Sequence, residues 1–186
     1  MSRSGGRRGS GDDRLEQISG DALDPSDVSA ALRGIDAVIQ AIGIAAGPGM
    51  ILRPVTLFSR ATAILVPAME RSGVKRLISV TGFGAGDSRA AVNCLQRLPF
   101  RVVLGRAYDD KSRQEGIIRQ SSLDWTIVRP GILTQGAASS RYRVLEEASE
   151  WRNGLISRAD VADFLVRQID DDAFIHKTPV LIRSPL

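Results

Sequence analysis

The sequence predicts an α/β fold, a doubly wound parallel sheet with helices on both faces. Three observations carry this. Short, nearly all-apolar runs recur at residues 37–42, 77–81, 125–129 and 180–182, as expected of strands buried on both faces. Segments with apolar residues at helical spacing lie between them. Strands and helices alternate from start to finish, which a parallel sheet with crossover helices satisfies.

The elements follow in order. Gly5, Gly6, Gly9 and Gly11 make residues 1–14 a flexible, basic loop segment, with residues 15–186 as a single domain. A weak strand is expected at about 15–19. Asp24 can cap a helix, Pro25 suits its first position, Asp27 sits in its first turn and Gly34 suits its end. Val28, Ala31 and Leu32 form its apolar stripe. The strand at 37–42 stops at Gly43, before a loop holding Gly47-Pro48-Gly49. The longest helix is expected over 55–72. Leu57, Ala61, Ile64, Leu65 and Ala68 share one face, Gly73 closes it, and Pro67 should kink it.

The strand at 77–81 leads into Gly82, Gly84 and Gly86. Residues 87–105 carry no clear pattern. A helix is expected over 108–121, then a strand stopped by Pro130-Gly131. Ser157 and Asp160 form a capping-box pattern before a helix with Val161, Phe164, Leu165 and Ile169 on one face.

Composition narrows the function classes. The 186 residues, 43% hydrophobic and 25% charged, suit one globular domain and exclude collagenous, coiled-coil and wholly disordered chains. Cys94 is the only cysteine, so an intrachain disulfide and a thiolate metal cage are excluded. His176 is the only histidine and lies near the C-terminus, which argues against a serine–histidine–acid triad and histidine zinc sites. No metal is expected. His176 reads as an exposed helix-end residue, Cys94 and Trp125 as packing residues. No apolar run approaches ~18 residues, so no membrane span is expected. The start lacks an apolar stretch, so it is no secretory signal, and the cytoplasm is the expected compartment. The net charge is +4, but the basic residues are dispersed among 21 acidic ones. Only the first 14 residues are lopsided, with Arg3, Arg7, Arg8 and Arg14 against Asp12 and Asp13. They read as a solvated tail, so neither a nucleic-acid nor a membrane partner is expected.

In open parallel sheets, ligands bind beyond the carboxyl ends of the strands. The residues at those ends are Gly20-Asp21-Ala22, Ala41-Ile42-Gly43, Thr81-Gly82 and Pro130-Gly131-Ile132. Small residues at several of them let a flat ligand approach the backbone.

These residues carry a family resemblance. Gly20-Asp21-Ala22-Leu23-Asp24-Pro25 followed by Gly34-Ile35-Asp36-Ala37-Val38-Ile39 resembles the third to fourth strands of short-chain dehydrogenase/reductases. Residues 73–81 resemble that family's entry to its fifth strand. Ser121-Ser122-Leu123-Asp124-Trp125-Thr126-Ile127-Val128-Arg129-Pro130-Gly131, with Lys111 ten residues before Ser121, is the most specific match. Together with residues 157–162 it resembles the atypical NAD(P)H-binding branch, which includes biliverdin reductase B and flavin- or quinone-reductase-like proteins. The resemblance implies a Rossmann-like fold, NADP or NAD as cofactor, and a small-molecule acceptor.

Two departures stand out. The family's first strand, glycine-rich turn and first helix, which bind the pyrophosphate, have no counterpart. Gly6-x-x-Gly9-x-Gly11 has the wrong spacing and no strand before it. Met1-Ser2-Arg3-Ser4 resembles the end of the family's second strand. The expectation is therefore an N-terminally truncated fold, with unpaired edges and an apolar groove where the central strand would lie. A true pseudo-enzyme that re-pairs its sheet is the rival. The second departure is in the catalytic pair. Standard members use Tyr-x-x-x-Lys, where the lysine holds the ribose and lowers the tyrosine's pKa. Lys111 fits the lysine, but Ala107 stands at the tyrosine position. Tyr108 is one residue late, so its hydroxyl is expected to point away from the site.

The resemblance thus implies that the adenine lies near Asp21 and Ala22, and the ribose near Ala41, Ile42, Gly43 and Lys111. The nicotinamide falls near Thr81, Gly82, Pro130, Gly131 and Ile132. Lys111 and Thr81 are the candidate catalytic residues. Lys111 has a surface ion pair with Glu115 as its alternative, and Thr81 either orients a substrate or caps a strand end. Arg3 and Ser4 match the position that can pair a 2′-phosphate. The expected activity is NAD(P)H-dependent reduction of a flavin, quinone or similar flat acceptor, with the proton from solvent and with weak or absent cofactor binding in this chain. The alternative is a non-catalytic dinucleotide sensor or interaction module.

Overall fold

A computed structural model describes residues 15–44, 55–91 and 94–184, with backbone only for 94–104. Arg3, Ser4, the loop at 47–49 and the Cys94 side chain lie outside the described residues.

Helix α1 (Pro25–Ala31) starts as expected. The Asp24 carboxylate accepts the amides of Ser26 at 2.8 Å and Asp27 at 3.4 Å. Strand β1 (Ala37–Gln40) is shorter than its apolar run. Helix α2 (Leu57–Ser72) continues through Pro67, and Gly73 ends it at φ 77°, a left-handed conformation that glycine adopts without strain. Strand β2 (Arg76–Val80) leads into a 3₁₀ turn at Gly86–Ala91. Helix α3 (Cys94–Arg119) is far longer than the expected 108–121 and absorbs much of the stretch without a clear pattern. Strands β3 (Asp124–Pro130), β4 (Ile132–Thr134), β5 (Tyr142–Leu145) and β6 (Leu155–Ser157) follow, then helix α4 (Arg158–Arg167), a 3₁₀ turn at Asp172–Phe174, and β7 (Val180–Arg183). His176 is exposed, as expected, but follows that 3₁₀ turn rather than a helix.

The main sheet has the order β1-β2-β3-β7-β5. β1, β2, β3 and β7 run parallel, with Leu77 level with Val38 on one side and Trp125 on the other. β5 runs antiparallel to β7, so the sheet is mixed at that edge rather than parallel throughout. β4 and β6 form a separate two-stranded ribbon.

The fold is doubly wound. One core joins Val28 and Leu32 of α1, Val66 and Met69 of α2 and Ile118 of α3 to Leu77, Trp125 and Ile127 of the sheet. The other face carries Ile78, Val128 and Leu181, covered by Val161, Phe164 and Leu165 of α4. The strand expected at 15–19 does not form. Leu15 and Ile18 are 56% and 49% exposed, and a strand needs a neighbour to hold its backbone. Among the described residues, nothing pairs with the outer edge of β1.

Candidate functional site

The carboxyl ends of β1, β2 and β3 lie side by side. They present two groups of candidate residues.

The first group lines a cleft of about 690 Å³ along the outer edge of β1. Asp21, Ala22, Ala41, Ile42 and Gly43 all border it. Leu57, Ala61 and Leu65 of α2 form one apolar wall. The expected face of α2 is thus divided: Ala61 and Ala68 are buried, whereas Leu57, Ile64 and Leu65 are half-buried. At the cleft's inner end, Gln40 joins a buried polar network. It donates to Thr62 Oγ1 at 3.0 Å and accepts from Ser79 Oγ at 3.0 Å and Gln114 Nε2 at 2.9 Å. A glutamine ending an apolar strand was the signal for this network, since a buried amide must find partners.

The second group gathers at the ends of β2 and β3. The Thr81 amide donates to the Val128 carbonyl at 2.9 Å, and the Phe83 amide to the Pro130 carbonyl at 3.0 Å. Gly131 donates to Leu181 at 3.0 Å, and Ile132 to Gly154 at 2.8 Å. Residues 81–83 and 130–132 therefore run alongside each other. The Lys111 ammonium donates to the Thr81 carbonyl. It also stands 4.9 Å from the centre of the Phe58 ring. Burial pulls its pKa down to about 8, against the opposing pull of Glu115.

Three expectations change here. Lys111 does not share a surface ion pair with Glu115. Glu115 is 2% exposed and bonded to the fully buried Arg129, with Nη2 at 2.6 Å and Nε at 3.0 Å. A charge inside the protein takes the partner that best repays its desolvation. The Thr81 hydroxyl neither faces a ligand nor caps the strand end, because it donates inward to Glu115 Oε1 at 2.8 Å. Tyr108 does not point away: a Cβ on Gly82 would stand 2.9 Å from its phenol oxygen. Positions three and four residues before Lys111 flank the same helix face, so the one-residue offset keeps the ring at the site. Burial pushes the phenol's pKa above its ordinary value.

Glu115, Arg129 and Asp87 were missed as site residues. Arg129 in an otherwise apolar strand was the available signal, since a buried guanidinium needs an acid. Asp87 Oδ1 lies 2.5 Å from Arg129 Nη2.

The parallel-dominated sheet, the double winding and the clustering at the strand ends define a Rossmann-like nucleotide-binding domain. The chain belongs to the NAD(P)H-binding family, whose model matches residues 3–172. Among its relatives, the UPF0659 protein YMR090W of Saccharomyces cerevisiae is 30% identical over 162 residues, spanning 86% of this chain and 67% of that protein. The Photosystem II assembly factor Ycf39 of Synechocystis is 25% identical over 174 residues, 90% of this chain and 48% of that protein. The chain thus spans about half to two thirds of the length of these relatives. Among solved structures, ChuY, an anaerobillin reductase from Escherichia coli O157:H7, superposes with a TM-score of 0.74 at 29% identity. That match covers 90% of this chain and 74% of ChuY.

The described residues fit an NAD(P)H molecule in part. The cleft has room for a nucleoside half, and the Lys111 turn offers a cation and close backbone. The pyrophosphate finds less. It favours free amides at a helix N-terminus, yet the first amides of α1 are closed by Asp24. At α2, the amides of Phe58 and Ser59 donate to Asp110 Oδ2 at 2.9 and 3.2 Å. Both caps are carboxylates, which repel phosphate.

Proposed function

We propose that this domain is that of an NAD(P)H-dependent reductase that acts on a flat, conjugated acceptor. Bound NAD(P)H would supply the hydride. The observation that carries the reading is the convergence of Lys111, Tyr108, the Thr81–Gly82 backbone and Pro130–Ile132 at the carboxyl ends of β2 and β3, on the same sheet edge as the cleft at β1. In this reading Asp21 and Ala22 border the adenine, and Ala41 to Gly43 border the ribose. Lys111 holds the second ribose from the Thr81 carbonyl. Pro130 to Ile132 support the nicotinamide.

The acceptor's character is supported by the ribbon beyond β3. Ile132 and Leu155 lie level with each other there on one face of the ribbon, 56% and 55% exposed. Two aliphatic side chains side by side offer a planar ring system an apolar seat, and are far short of the ~800 Å² per partner of a stable protein interface. The likeness to ChuY adds linear tetrapyrroles to the flavins and quinones worth testing. Tyr108 is the proton donor within reach of the Gly82 turn, where solvent is the alternative source.

With both helix starts closed by carboxylates, the 186-residue chain should bind NADPH more weakly than micromolar. Titration by protein fluorescence tests this, and a dissociation constant at or below the micromolar range contradicts it. Oxidation of NADPH with a panel of flavins, quinones and linear tetrapyrroles tests the reaction.

A second reading, a dinucleotide-sensing module that engages a protein partner, is favoured by the same closed helix starts and by the likeness to an assembly factor. Binding without turnover, together with a partner retained in a pull-down, would select it. The cytoplasm remains the proposed compartment. No helix among the described residues is long and apolar enough to cross a membrane.

A further inference from the structure

We propose that Glu115 is a positioning residue of this site, fixing the Thr81–Gly82 turn and, through the Thr81 carbonyl, the seat of the Lys111 amine. The proposal rests on the reading of Lys111 as a cofactor-contacting residue.

The geometry is a two-point clamp. Lys111 and Glu115 stand one helical turn apart on α3 and grip the same residue. Lys111 holds the Thr81 carbonyl, and Glu115 accepts from the Thr81 hydroxyl at 2.8 Å. Glu115 is itself fixed by both nitrogens that Arg129 extends to it. Both side chains are within 2% of complete burial. Glu115 does not reach a ligand, since both of its oxygens are engaged inside the protein. Its influence on the chemistry must pass through Thr81 and Lys111.

The loop after β2 is fastened along one face of α3 by residues at helical spacing. Tyr108 packs on Gly82. Ser112 Oγ accepts the Gly86 amide at 2.9 Å. Glu115 meets Gly86 so closely that a Cβ there would stand 2.1 Å from Oε2 and 2.7 Å from Arg129 Nη2. Arg119 donates to Asp87 Oδ2 at 3.1 Å. Only glycine lets the backbone close on the Glu115–Arg129 pair, and Gly86 also takes φ 54°. A buried ion pair contributes little net stability over an apolar replacement. Its geometry here is what a ligand-side turn requires.

The charged and titratable groups around Lys111 come from three sources. Tyr108, Asp110 and Glu115 share its helix, with Asp110 turned to the Phe58 and Ser59 amides; Arg129 of β3 and Asp87 of the 3₁₀ turn lie behind Glu115, while α2 contributes the neutral Phe58 ring. Of these charges, Glu115 is the one whose field favours the charged form of Lys111 against the cost of burial.

The test reads Lys111 in the ligand-free, full 186-residue chain. Its amine is acylated across a pH series in competition with a free amine, and the modified peptide is quantified by mass spectrometry. Glu115→Gln keeps the acceptor and removes the charge. The midpoint for Lys111 should fall by about half a pH unit or more, with circular dichroism unchanged. Thr81→Val exchanges the hydroxyl for a methyl of the same shape and should raise the acylation rate severalfold, and Thr81→Ser should restore it. If Glu115→Gln does not fold, the Thr81 pair decides alone. An unchanged Lys111 midpoint in folded Glu115→Gln, or an unchanged rate in Thr81→Val, overturns the proposal. NADPH affinity is measured separately. A shifted Lys111 with unaltered affinity supports the clamp and removes the cofactor role of Lys111 instead.

Discussion

Tyr108 and Gly82 are in contact across the gap between α3 and the end of β2, so close that a Cβ on the glycine would meet the phenol oxygen at 2.9 Å. The contact places a protonated hydroxyl where the acceptor is proposed to lie. Tyr108→Phe should therefore lower turnover by roughly a hundredfold while leaving NADPH affinity within about threefold. Steady-state NADPH oxidation and a binding titration check the two halves. Unimpaired turnover would mean that the proton comes from solvent.

Lys111 gives a pH dependence with a definite sign. Its folded-state pKa of about 8 lies below the ordinary 10.5. Between those values the unfolded chain binds more protons than the folded one, so stability rises with pH across that window. Lys111→Met should abolish this rise while keeping the fold. Thermal unfolding of both proteins over that range is the measurement. Binding of NADPH should weaken as pH climbs through about 8, because the ammonium is lost there.

Asp160 fastens the loop after β4 to α4. Its carboxylate accepts the amides of Ser139 at 2.6 Å and Ser140 at 2.9 Å, and the hydroxyl of Ser157 at 2.8 Å. Burial works against the charge, but these hydrogen bonds hold the carboxyl below its ordinary value. A carboxylate with a lowered folded-state pKa stabilises the protein above its ordinary value of 3.8 and stops doing so as the pH falls through the folded value. Asp160→Ala removes the acceptor of the buried Ser157 hydroxyl and of the Ser139 and Ser140 amides, which can turn to water, so denaturant unfolding should show a loss of about 1 kcal/mol. Hydrogen exchange at Ser139 and Ser140 should quicken at the same time.

The sequence revealed those parts of the fold that rest on local, repeated signals. Asp24, Pro25 and Gly73 mark helix ends by backbone chemistry alone, and the apolar strands declared a parallel sheet. The three-residue strands β4 and β6 escaped because runs that short have no period to detect. β5 escaped because its direction is set by pairing with β7, a tertiary contact. In the site, the strand-end residues were readable because the fold class says where ligands lie. The Thr81–Glu115–Arg129 arrangement was not, since it joins β2, α3 and β3 across 48 positions of sequence, from Thr81 to Arg129. Tyr108 was misjudged by counting helix positions without allowing for the reach of a tyrosine.

The central claim is that a dinucleotide lies along the carboxyl ends of β1, β2 and β3. Backbone amide chemical shifts of the isotopically labelled 186-residue chain, followed as NADPH is raised to millimolar concentration, test it most directly. The account predicts saturable shifts concentrated at Ala41–Gly43, Thr81–Gly82, Lys111 and Gly131–Ile132. Shifts confined to other surfaces, or none that saturate, would contradict it.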